Sequence, residues 1–150
     1  MTSDLRESQL PLPPLLSQLI ASERWRQPSD KVIFAAVPFL RERVDFLLTE
    51  AHMRFESQGQ CVDLPTAPPF FHEYRGSVSE ARPLPWLDVD LALMIAVNRV
   101  AGADLGIALD YRTSFTDPRV VASDWWTGDD TCHWREAFSS FSAFVAAIRI

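Results

Sequence analysis

Three segments rich in apolar residues follow one another with almost no chain between them. "LALMIAVNRV" (Leu91–Val100), "LGIALDYR" (Leu105–Arg112) and "RVVASDWW" (Arg119–Trp126) are separated by "AGAD", four residues, and "TSFTDP", six residues. A parallel crossover needs a dozen residues or more, so strands joined this tightly run antiparallel as a meander. Residue types support the strand reading. In the first segment Leu91, Leu93, Ile95 and Val97 alternate with Ala92, Met94, Ala96 and Asn98. In the second, Leu105, Ile107, Leu109 and Tyr111 alternate with Gly106, Ala108, Asp110 and Arg112. Glycine with aspartate in one connection, and Asp117–Pro118 in the other, are turn formers.

Helical patterns flank this β region. "LPPLLSQLIASERWR" places proline in a first helical turn, where a missing N–H costs nothing, and follows it with a stripe of Leu15, Leu16, Leu19 and Ile20. Trp25 comes just after and can staple that helix to a core. Ser29–Asp30 is a cap signal for a second helix containing Val32, Ile33, Ala36 and Val37. Pro38 kinks or breaks it. A further helical piece is expected to carry Phe39, Leu40, Val44 and Leu47 on one side, as one kinked helix or as two. At the other end "SSFSAFVAAIRI" reads as a helix capped by Ser139 or Ser140, with Phe141, Phe144, Val145 and Ile148 as its stripe. "CHWREAF" before it suits either helix or an approach strand. The expected fold class is therefore α+β, a single antiparallel meander sheet with N-terminal helices and a C-terminal helix packed on it. Residues 1–150 are expected to form one domain, with a helical part over 1–57, a long loop over 58–85 and the sheet plus closing helix over 86–150.

Composition narrows the function. With 47% apolar residues, 150 residues can bury a core of ordinary size. The net charge is −6, and the basic residues are dispersed, which argues against a phosphate-backbone stripe and so against nucleic acid. No apolar run approaches the roughly 18 residues that span a membrane. The start has no basic region followed by an apolar one, and the two cysteines, Cys61 and Cys132, lack any paired spacing. Both point to a reducing, cytoplasmic setting. The acid is uneven. Residues 76–150 hold ten acidic and six basic residues, against ten and eight in residues 1–75. Such a half is an ordinary solvated surface, or one that attracts a basic partner.

Asp110, Asp117, Asp124, Asp129 and Asp130 could be a catalytic or metal set only if they converge. Strand alternation separates them, Arg112 stands on the same face as Asp110, and Asp117, Asp129 and Asp130 occupy turn positions. His52, His72 and His133 are far apart in sequence, and no two of them stand at i and i+4, so no HExxH-type pair exists. Asp129, Asp130, Cys132 and His133 crowd one loop and lack zinc-site spacing. There is no GxSxG elbow and no glycine-rich phosphate loop. No cofactor or metal is expected. Trp125 and Trp126 point to opposite faces of a regular strand, so one can be an exposed anchor beside the acid unless both faces are covered.

The segments Ile107–Asp110, Pro118–Val121 and Ser140–Val145 resemble the SUKH superfamily, the Smi/Knr-like proteins. There a strand of the kind "ia-ld" precedes a turn, a "P-x-V" strand and a closing "sF-x-x-F" helix. The likeness covers roughly residues 84–150, with "LPWLDVD" only a partial echo of the family's "LP" entry. It implies an α+β domain that binds protein without catalysis, as a bacterial toxin-immunity or regulatory protein. The expected partner is a basic protein, such as a toxin domain, met by Asp110, Asp117, Asp124, Trp125, Trp126, Asp129 and Asp130. The competing expectation is a small enzyme or ligand-binding protein with a site at His72 and Glu73, under the aromatic-rich 58–85 loop.

Overall fold

The structure, a computed structural model, describes residues 10–57, 84, 87–100, 105–124 and 133–150. Within them lie α1 (Pro14–Ala21), α2 (Asp30–Ala36), β1 (Val44–Phe46), α3 (Glu50–Ser57), a 3-10 turn (Val89–Leu91), β2 (Ala92–Asn98), β3 (Gly106–Asp110), β4 (Arg119–Asp124), β5 (His133–Phe138) and α4 (Phe141–Ile148). The described strands form one antiparallel sheet in chain order, β1-β2-β3-β4-β5. This is the α+β meander that short connections require.

The helices start where local chemistry places them. Pro14 opens α1, and Leu16 and Leu19 are its buried residues. The helix ends as Glu23 takes a positive φ of 60° and the amides of Arg24 and Trp25 both donate to the Leu19 carbonyl. A left-handed residue with a Cβ costs about 1 kcal/mol. The reversal it makes delivers Trp25 into the core, where its Nε1 donates to the Leu47 carbonyl at 2.9 Å. The Ser29 hydroxyl caps α2 by accepting from the Val32 amide at 3.2 Å. This helix stops at Ala36, ahead of Pro38, because proline disfavours helical backbone in the residue before it.

The helical reading of Phe39–Leu47 is overturned. Val44 and Phe46 are buried with Asp45 exposed between them, a period of two, and they pair with Asn98 and Ala96 of β2. Three residues are too few to declare themselves as a strand. Pairing with a strand some fifty residues away decides the matter. The helix resumes only in α3, where the Thr49 hydroxyl accepts from the His52 amide and Glu50 pairs with Arg54 at 2.9 Å. Of "CHWREAF", the described part, His133–Phe138, is strand, with Trp134 opposite Ser123 and Phe138 opposite Val120.

The simple alternation expected in β2 also fails. Leu93 pairs with Leu109, whereas Val97 pairs with Gly106, after a register shift between Met94 and Ala96. Leu109 and Gly106 are on opposite faces of β3, so the bulge puts Leu93 and Val97 on opposite faces too. An extra residue of this kind leaves no mark in apolar periodicity when both faces are buried, as they are from Ala92 to Ala96.

The sheet edge at β1 is closed by side chains. Gln27 accepts from the Phe46 amide at 2.6 Å and donates to the Val44 carbonyl at 3.0 Å, so its amide group stands where a neighbouring strand's peptide would be. Where β1 has ended, the Ser57 hydroxyl accepts from the Met94 amide at 2.8 Å. Unpaired edge groups otherwise invite pairing with another chain. Gln27→Ala is expected to lower stability by about 2 kcal/mol, from two lost hydrogen bonds at about 1 kcal/mol each. Urea denaturation measures this, and an unchanged midpoint would mean that water replaces the side chain at no cost.

The core joins both halves of the chain. Leu16, Trp25, Ile33, Val44 and Phe46 from the N-terminal part share one buried cluster with β2–β4 and with Phe141, Phe144, Val145 and Ile148 of α4. Aromatic contacts run through it: Trp25–Phe46 at 4.9 Å, Trp25–Phe141 at 5.8 Å and Phe138–Phe144 at 5.6 Å.

Candidate functional site

The stretch richest in candidate residues begins as β3, turns over 111–118 and returns as β4. Asp110 pairs across the sheet with Arg119, and Arg112 is two residues further on. Its carboxylate has no solvent exposure, while the Arg112 and Arg119 side chains are 14% and 18% exposed. Arg112 Nε reaches Oδ1 and Nη2 reaches Oδ2, both at 2.9 Å, and the Arg112 amide donates to Oδ1 at 3.1 Å. Arg119 reaches Oδ2 with Nε at 2.9 Å and Nη2 at 2.8 Å, and extends Nη1 to Glu136 of β5 at 3.4 Å. Burial alone pushes a carboxyl's pKa up. Here the hydrogen bonds and charge of Arg112, with the hydrogen bond from Arg119, outweigh it and hold Asp110 below the usual carboxylate value.

The next residue makes a second tie. Tyr111 is buried and its hydroxyl donates to the Pro11 carbonyl at 2.7 Å, fastening the segment before α1 to the end of β3. Burial pushes this phenol well above its ordinary pKa. The turn that follows is bonded to itself. The Ser114 hydroxyl accepts from the amides of Thr116 and Asp117, and the Thr113 hydroxyl accepts from the Arg119 amide. Asp117 then reaches the closing helix: Oδ1 accepts from the Ser142 amide at 2.9 Å and Oδ2 from its hydroxyl at 2.7 Å. A carboxylate at a helix N-terminus satisfies an orphan amide and opposes the helix dipole. The Ser140 hydroxyl caps the same helix from the Ala143 amide at 3.2 Å. Asp117→Ala is expected to cost about 1 kcal/mol, read by thermal melting. No shift in melting temperature would show that Ser140 caps α4 alone.

Two members of the expected partner surface make their bonds within the chain. Asp110 is wholly enclosed and cannot contact another molecule in this state. Asp117 is half-buried with both oxygens engaged within the chain. Each carboxylate is placed where donors converge, two guanidinium groups at Asp110 and the start of α4 at Asp117. Asp124 ends β4 opposite His133 in register. Trp125, Trp126, Asp129 and Asp130 lie outside the described residues, as do His72 and Glu73 of the competing ligand site. The expected "AGAD" turn and the 58–85 loop lie there too, except for Leu84.

Among the described residues, no group of three or more His, Cys, Asp or Glu is placed to hold a metal ion, and no helix is long and apolar enough to cross a membrane. An open depression of about 510 Å³ is walled by Ile20, Glu23, Trp25, Arg26 and Leu48. Arg26 directs its Nε at the Glu23 carbonyl, 3.3 Å away. Sequence reasoning passed over Phe115, which is 51% exposed at the self-bonded turn and sits edge-on to Tyr111 at 5.7 Å. Its position inside "TSFTDP", a turn otherwise made of polar residues and proline, was the available signal. Comparison with family models, with curated proteins and with solved structures finds no match.

Proposed function

We propose that this chain is a non-enzymatic protein-binding module of the SUKH type, a bacterial toxin-immunity or regulatory protein that works in the cytoplasm on a basic partner protein. One observation carries the reading. The three segments that resemble the family are neighbours in space, tied together by residues in them or directly beside them. Asp110, at the end of the first, is bonded to Arg119 in the second. Asp117, just before the second, is bonded to Ser142 in the third. Segments joined in this way form one connected part of the fold, and that supports reading them together.

The same bonds redraw the acidic surface within the proposal. With Asp110 and Asp117 used internally, Asp124, Trp125, Trp126, Asp129 and Asp130 are left to meet the partner. A net charge of −6 favours a basic protein through long-range steering. The test is capture of partners by the purified chain from a lysate of its native bacterium, followed by binding kinetics with the captured protein. The expected result is a basic protein whose association slows steeply with salt. Asp129→Lys with Asp130→Lys is expected to slow it about tenfold or more. Co-expression should also suppress any toxicity of that partner. Full binding by the charge-reversed variant would sink the surface assignment. Failure to bind any basic protein would sink the functional reading itself.

A further inference from the structure

We draw no further inference here: the strongest candidate, the half-exposed ring of Phe115 at the turn between β3 and β4, carries nothing because nothing in the structure shows what covers it.

Discussion

Asp110→Asn is expected to destabilise the protein by about 3 kcal/mol, the lower end of what breaking a buried ion pair costs. The lower end applies because Arg112 and Arg119 retain some exposure and can partly rehydrate once the charge is gone. For a domain of this size that is a drop on the order of 6–12 °C in melting temperature. A double-mutant cycle separates pairing from packing. Adding Arg119→Met to Asp110→Asn should cost less than the two single changes together, by at least about 1 kcal/mol. The pH dependence follows from the depressed pKa of Asp110. A carboxylate with a lowered folded-state pKa stabilises the protein above its unfolded value, near pH 4. That stabilisation is lost as pH falls through the folded value. The gap between wild type and Asp110→Asn should thus be full at neutral pH and shrink only in acid below about pH 4. A gap that is already small at pH 7, or additive single mutants, would remove Asp110 as the centre of the node.

The larger effect is expected from Phe144→Ala, a loss of about 4 kcal/mol. Phe144 is fully buried in α4. Its ring lies 6.2 Å from Phe46 of β1, 5.6 Å from Phe138 of β5 and 6.3 Å from Phe141. Truncation removes apolar burial and leaves a cavity between the two outermost described strands. Neighbours anchored in a sheet cannot collapse into such a space, which keeps the cost high. Phe144→Leu should recover about half of the loss, since it refills part of the volume. Equilibrium unfolding in urea measures both. A cost under about 1 kcal/mol for the alanine variant would mean that α4 does not seal this face.

These two residues also show how far the sequence could be read. Phe144 was legible, because Phe141, Phe144, Val145 and Ile148 recur at helical spacing and only a buried stripe does that. The partnership of Asp110 with Arg112 was legible from their spacing of two, but its geometry is that of a turn: Arg112 lies just past β3 and its amide also donates to the carboxylate. Arg119 was not foreseen as a partner. It lies nine residues away, and only the hairpin register brings it opposite. Asp117 looked like a turn residue by its Asp–Pro dipeptide, and it does sit in the turn. Its bond to Ser142 depends on where α4 docks, which no local pattern records.

The sequence by itself determined the class of fold and most of its elements. Connections of four and six residues permit only antiparallel neighbours, Ser29 and Ser140 are good caps, and Pro38 ends a helix. Each of these acts over a few residues, within reach of local sterics and hydrogen bonding. Tertiary structure alone decided that Val44–Phe46 is a strand, that β2 carries a bulge, and that Gln27 closes the sheet edge. It also decided that acid which looked available for a partner is enclosed at Asp110 and engaged at Asp117. The physical reason is common to all of these. A short segment, an extra residue or a single carboxylate is nearly degenerate in energy among its local alternatives, and contacts with distant parts of the chain break the tie.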